Sequence, residues 1–251
     1  MIPDESEEHF ANFTRLIEET FEANNGKKVV IVCHSNGCTY NYDFFLHKDA
    51  AWKEKYIQSW VTLGAPFAGA TEALQAVVGG VSFHFAFYSK SLLGGLEKTF
   101  SSITPLIPVA SVFADRTIFR LEGRNYTARE VADILALLPD SQDVAGMWEQ
   151  SVRRMRPDFP APGIETHCVR SSGLATIEAL DFKKKKSFPL SPTLVYGEGD
   201  GSVNKVSSDV CLRWNSEPDF HTIEFNSSVN HIALATSSLT VDYLIKNVLH
   251  L

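Results

Sequence analysis

From Glu7 to Ala23 the apolar residues Phe10, Phe13, Leu16, Ile17 and Phe21 recur at helical spacing among acids, the pattern of an amphipathic helix with one face turned to a core. Asn24-Asn25-Gly26 ends it, since these residue types tolerate a left-handed backbone. Val29-Val30-Ile31-Val32-Cys33 is apolar without alternation, which predicts a central strand of a parallel sheet covered on both faces. A second helical stretch, about Gly37 to His47, follows at once. Ile57 to Leu63 predicts another buried strand that stops at Gly64-Ala65-Pro66, and Glu165 to Val169 and Thr193 to Tyr196 predict two more, each ending in glycine- or serine-rich turns. Thr222 to Phe225 predicts a last short strand, and Ser238 to Leu249 a closing helix. Strands alternating with helices predict an α/β fold with a mostly parallel sheet and helices on both faces.

Between about Gly69 and Gly163 the strand signal fades into aromatics, paired glycines and prolines, then into a helix that Thr127 can cap and that runs to Leu138. Residues 69–163 are therefore expected to form a cap or lid insertion in a core built from 1–68 and 164–251. Phe83, Phe85, Phe87, Tyr88, Leu92, Leu93 and Phe100 fit an apolar lid or membrane-facing surface. They fit a cap packed by ordinary burial equally well, because apolar runs do not reveal which side they face. Lys183 to Lys186, flanked by Phe182 and Phe188, reads as a solvated basic loop, with a contact to anionic lipid headgroups as the alternative.

Composition narrows the classes. With 251 residues, 44% hydrophobic and 11% aromatic, there is material for a sizeable core, and disorder and fibre are excluded. The formal net charge of −7 leaves no basic footprint for nucleic acid. The longest apolar reach, Ala73 to Tyr88, is broken by Gly79-Gly80 and carries His84, so nothing resembles the ~20-residue span of a transmembrane helix and the chain reads as soluble or peripheral. Ile2 to Glu8 is acidic where a signal peptide would be basic and then apolar, so no targeting segment is read there. Cys33, Cys38, Cys168 and Cys211 lack the spacing of a zinc site and are scattered, and their simplest reading is as small buried hydrophobes. Asn12, Asn125 and Asn226 begin glycosylation triplets, which are common by chance.

The chemistry concentrates at Cys33-His34-Ser35-Asn36-Gly37, where a buried strand turns into a helix. A serine at such a nucleophile elbow takes a strained backbone conformation, and the residues two before and two after it are expected to be small so that strand and helix can approach. Cys33 and Gly37 are small. The turn directs the Ser35 hydroxyl out of the carboxyl edge of the sheet, and the Asn36 amide at the new helix's N-terminus can face a developing oxyanion.

A hydroxyl needs an imidazole to take its proton and a carboxylate to orient that imidazole. Asp200, in Gly197-Glu198-Gly199-Asp200-Gly201-Ser202, follows the predicted strand 193–196, with Asp209 and Asp219 as fallbacks. His231, in a polar loop between the last strand and the last helix, is the expected base. His221 precedes a strand and so lies at the wrong sheet edge, His250 sits in a terminal helix, and His34 reads as a packed neighbour of the elbow. Serine, aspartate, histidine is the order of an α/β-hydrolase.

His34-Ser35-Asn36-Gly37, Trp60 to Gly69, Gly199-Asp200-Gly201-Ser202-Val203-Asn204, Cys211-Leu212-Arg213-Trp214 and Asn230-His231-Ile232 together resemble lecithin:cholesterol acyltransferase and the lysosomal phospholipase related to it. Trp52 to Ile57 and Asn125-Tyr126-Thr127 resemble the phospholipase as well. The resemblance runs from about Val29 to Leu249. It implies an α/β-hydrolase that takes a fatty acyl chain from a phospholipid through an acyl-serine and passes it to a lipid alcohol or to water, with Ser35, Asp200 and His231 matching the family's triad. It implies no metal or organic cofactor, phospholipid and lipid-alcohol substrates at a peripheral membrane or lipoprotein surface, and, with the glycosylation triplets, a secreted, lysosomal or endomembrane-lumenal setting. A neutral-lipid lipase or carboxylesterase, and a non-catalytic lipid-binding relative, stand as alternatives. The sequence departs from the family in placing Cys33 where glycine or alanine stands, in having no cysteine after His231 to pair with Cys211, and in the segment 79–108. Only 34 residues precede Ser35, whereas this fold draws its second oxyanion donor from a loop after an earlier strand, so the chain is expected to correspond to the C-terminal two-thirds of a family member, with N-terminal strands missing.

Overall fold

The structure is a computed structural model that describes residues 3–79, 97, 100–138, 142–154, 158–183, 188 and 192–251. Helix α1 (Pro3–Ala23) buries Ile17 and packs Phe10 and Phe13 edge-on against Phe44, while Leu16, expected on the inner face, is exposed. The helix ends as its sequence predicts, with Asn25 and Gly26 at positive φ and the Gly26 amide donating to the Phe21 carbonyl at 2.9 Å.

Four parallel strands, β1 (Val29–His34), β2 (Ile57–Leu63), β5 (Thr166–Ser171) and β8 (Phe220–Phe225), form one sheet in the order β1-β2-β5-β8. One face carries Ile31, Cys33, Trp60 and Cys168 into a large core with α1 and helix α2 (Asn36–His47), where Tyr42, Phe67 and Trp214 surround Trp60. The other face carries Val61, Leu63, Val169 and Ile223 under the C-terminal helix 238–247, through Tyr243 and Leu244. Burial on both sides explains the lack of alternation in β2 and β5. Among the described residues β1 stands at the edge of the sheet rather than at its centre, paired with β2, and leaves Val32 47% exposed.

A second sheet, in the order β4-β3-β6-β7, is built from strands that fall between those of the first along the chain. It comprises β3 (Thr117–Leu121), β4 (Arg124–Thr127), β6 (Leu174–Phe182) and β7 (Thr193–Gly199). Glu122 and Gly123, both at positive φ, make the two-residue turn of the β3–β4 hairpin. The strand expected over 193–196 is therefore present as β7, but it runs antiparallel to β6 in this sheet rather than within the parallel one. Strand β3 pairs with β6, so this sheet joins residues from either side of position 163.

Helices α3 (Ala50–Tyr56), α4 (Thr71–Gly79), α5 (Val131–Ala136) and α6 (Gln142–Arg154) complete the middle of the chain. Thr127 caps as expected, in a capping box with Glu130 ahead of α5. Phe83, Phe85, Phe87, Tyr88, Leu92, Leu93 and Lys184 to Lys186 lie outside the described residues. Phe100 is 42% exposed, Lys183 is exposed, and Phe182 is buried against Phe119 and Phe188. Among the described residues no helix is long and apolar enough to cross a membrane.

The cysteine reading is corrected. Cys33 is bonded to Cys38 and Cys168 to Cys211. The chain reversal at the end of β1 brings the first pair to a Cα separation of 5.1 Å, and packing of the segment after Asn204 onto β5 brings the second to 6.5 Å. The second contact has no local sequence signal, because tertiary packing makes it across a separation of 43 residues.

Candidate active site

Strand β1 ends at His34 and α2 begins at Asn36, so Ser35 alone makes the turn, at φ 54° and ψ −132°. A non-glycine residue holds this conformation only where its surroundings compel it. Here the Ser35 amide donates to the Leu63 carbonyl at 2.9 Å and its own carbonyl accepts from the Cys38 amide at 2.9 Å. Cys33 and Cys38 link strand to helix across the turn. The small-residue argument needs one correction: a Cβ at Gly37 would meet nothing within 4 Å, so close packing does not demand glycine there.

The Ser35 hydroxyl stands at the carboxyl edge of the parallel sheet, and His231 Nε2 lies 2.8 Å from its Oγ. His231 Nδ1 is 2.8 Å from Asp200 Oδ2. The opposite oxygen, Asp200 Oδ1, accepts from the amides of Ser202 at 3.0 Å and Val203 at 2.7 Å. The Asp200 carbonyl takes the His231 amide at 2.9 Å, so acid and base are joined by backbone as well as side chain. Asp200 is 1% exposed, and a carboxylate so buried is stable only with its lone pairs occupied, as these are. The glycine turn that holds it follows from contact: a Cβ at Gly199 would overlap the Val203 carbonyl oxygen, and Gly201 has φ 100°.

The fallback acids lie elsewhere. Asp209 pairs with the Arg170 guanidinium and with Lys205 Nζ, and the Asp219 carbonyl accepts from the Thr166 amide at the opposite end of the sheet. His221 sits at that far edge as expected, and His250 is exposed after the last helix. His34 packs beside His231 with ring centroids 4.7 Å apart. Its Nε2–H donates to the His231 carbonyl at 2.8 Å, and burial, the largest influence on it, pushes its pKa below the usual imidazole value.

Asn36 opens α2, and the first amides of a helix have no partner within it. Its side chain is fixed by Thr39, whose hydroxyl donates to Oδ1 at 2.7 Å, and by the Ser102 carbonyl, which accepts from Nδ2 at 3.3 Å. Sequence reasoning missed Gly64. Its φ is 60°, and a Cβ there would lie 3.0 Å from His231 Nδ1 and 3.2 Å from Asp200 Oδ2, so the end of β2 forms the floor beneath the acid and the base. The Leu63-Gly64-Ala65-Pro66 turn was visible, but not what it faces.

Ser35, His231 and Asp200 thus form an unbroken hydrogen-bonded chain in which a hydroxyl can lose its proton to an imidazole held by a buried carboxylate. The chain is similar in sequence to Phosphatidylcholine-sterol acyltransferase of Gallus gallus, 27% identical over 242 residues that cover 95% of this chain and 58% of that protein. It is similar to Lysosomal phospholipase A and acyltransferase of Homo sapiens, 28% identical over 252 residues covering 96% and 58%. It is also similar to Lecithin-cholesterol acyltransferase-like 1 of Oryza sativa subsp. japonica, 27% identical over 83% of this chain and 48% of that protein. The chain therefore spans less than two thirds of the length of these relatives. The family model described as Lecithin:cholesterol acyltransferase matches residues 1–145 and 140–238, and the chain belongs to that family.

Proposed function

We propose that this protein is a serine-dependent lipid acyl hydrolase or acyltransferase of phospholipase A type, working through an acyl-enzyme at Ser35. The observation that carries the proposal is the hydrogen-bonded sequence Ser35, His231, Asp200, built on an elbow serine at φ 54° in a member of this family. His231 Nε2 takes the Ser35 proton as Oγ attacks the ester carbonyl of a phospholipid. The Asn36 amide donates to the oxyanion of the tetrahedral intermediate. Collapse breaks the ester bond, His231 returns the proton to the leaving lysophospholipid oxygen, and the acyl chain stays on Ser35. A lipid alcohol or water then enters, loses its proton to His231, and leaves with the acyl group as an ester or a fatty acid, restoring the Ser35 hydroxyl. Asp200 holds the imidazole in the tautomer with its proton on Nδ1 throughout.

The names of the relatives support phospholipid as donor and a lipid alcohol as acceptor. Residues 69–163 would form the cap over the site and the contact with the lipid surface. Two disulfides fit an oxidising compartment, as a secreted, lysosomal or endomembrane-lumenal protein would meet. The test is acyl release and transfer from phosphatidylcholine vesicles, beside triacylglycerol emulsions, by the protein and by Ser35→Ala. The proposal expects vesicle activity that Ser35→Ala reduces on the order of a million-fold. Turnover of the emulsion alone would make the protein a neutral-lipid lipase or carboxylesterase, and no turnover of either would make it a non-catalytic lipid binder.

A further inference from the structure

At the end of the parallel sheet opposite Ser35, β5 and β8 start side by side with His167 paired in register to His221. Both side chains point to the face covered by helix α8 (Ser238–Asn247; the short helix Lys205–Ser208 is α7), and their rings stack with centroids 4.6 Å apart. Glu165 lies two residues before His167, so strand periodicity turns its carboxylate to the same side. One donor atom from each of Glu165, His167 and His221 lies within 4.8 Å of the other two. His167 is 1% exposed, and Glu165 Oε1 stands 3.0 Å from its Nε2. The other ring nitrogen, Nδ1, is 3.0 Å from the Tyr243 hydroxyl on α8.

We propose that Glu165, His167 and His221 form a binding site for a divalent transition-metal ion of zinc type, separate from the Ser35 centre. Two imidazoles and one carboxylate suit such an ion and leave a fourth position for water. Metal–ligand lengths of about 2.0–2.2 Å are reached from the observed donor spacing by small side-chain rotations. Calcium and magnesium, which prefer all-oxygen shells, are not accommodated. Without metal, His167 Nε2–H donates to Glu165 while Nδ1 accepts from the Tyr243 hydroxyl. On binding, the neutral ring changes tautomer: Nδ1–H donates to the Tyr243 oxygen, and the Nε2 lone pair goes to the ion, with no net proton released. Tyr243 thereby orients the buried ligand from behind. His221 is exposed and Glu165 half-buried, and they give the ion its entry. The site ties β5 and β8 together beneath α8, so the ion stabilises the fold by mass action.

The test uses the full chain and Zn2+ alone. His231→Ala removes the imidazole of the other centre and serves as the parent. The parent should bind one Zn2+ by calorimetry and gain thermal stability with it, and Mg2+ and Ca2+ should do neither. His221 is exposed, so His221→Ala in the same parent should keep the metal-free melting temperature while losing at least tenfold in Zn2+ affinity and the thermal gain. Glu165→Gln should weaken binding in the same direction. Unchanged Zn2+ affinity in His221→Ala, or no Zn2+ binding by the parent, would overturn the site.

Discussion

At Ser35 the backbone is held in a region that few non-glycine residues occupy, and the bonds that hold it come from three elements: β1, the end of β2 and the first turn of α2. The hydroxyl's direction is thus fixed before any substrate arrives. Asp200 is the acid that meets the base, while Asp209 is committed to Arg170 and Lys205. Asp200→Asn should therefore lower turnover by about 10⁴, because the amide favours the wrong imidazole tautomer, and Asp209→Asn should leave turnover nearly unchanged; steady-state kinetics on phospholipid vesicles decides this. Gly64→Ala places a methyl against Leu234, His231 and Asp200 and forces a left-handed alanine, which by itself costs about 1–2 kcal/mol. It should reduce both thermal stability and kcat, the latter on the order of 10²-fold through displacement of the base. That Ser35, Asp200 and His231 meet was legible because each sits at a strand end or loop whose residue types have few other uses. Gly64 was not, since its constraint is a contact with residues far along the chain.

The elements differ in how much of them a single sequence can carry. Strands β1, β2 and β5 and helices α1, α2 and α8 were readable because each buries a continuous run or one apolar face. The hairpin β3–β4 and strand β6 were not, and β7 was assigned to the wrong sheet, because their half-buried, mixed sequences acquire meaning only from pairing across the insertion. The Cys168–Cys211 disulfide was hidden for the same reason. The loops of the two disulfides differ, with sequence separations of 5 for Cys33–Cys38 and 43 for Cys168–Cys211. Loop entropy then assigns about 2 kcal/mol to the first and about 4 kcal/mol to the second. The double variant Cys168→Ser/Cys211→Ser should unfold at markedly lower urea concentration than Cys33→Ser/Cys38→Ser. The latter should instead show its main loss in turnover, because that bond spans the elbow. Equal urea midpoints for the two would contradict this division.

Across the whole molecule, the parallel sheet separates two candidate sites, with Ser35 at its carboxyl edge and the Glu165–His167–His221 cluster at the other. The carboxyl edge also carries a pH dependence. Burial keeps the folded-state pKa of His34 below its unfolded value, so the unfolded chain binds the proton more readily as pH falls through about 6.5. Stability is then full at neutral pH, declines below that value, and levels off once pH is below the folded pKa. His34→Gln, which keeps a donor for the His231 carbonyl, should show a smaller loss of stability between pH 7.5 and 5.5 in urea titrations, and an unchanged loss would remove His34 as the cause. The central claim is that Ser35 is the nucleophile of a lipid acyl-transfer site, and it is tested most directly by locating the covalent adduct. After reaction with a fluorophosphonate, peptide mass spectrometry should find one phosphonylated residue, Ser35, with loss of phospholipid turnover in proportion to labelling and no adduct in Ser35→Ala or His231→Ala. An adduct at another residue, or phospholipid turnover that survives full labelling of Ser35, would contradict the account.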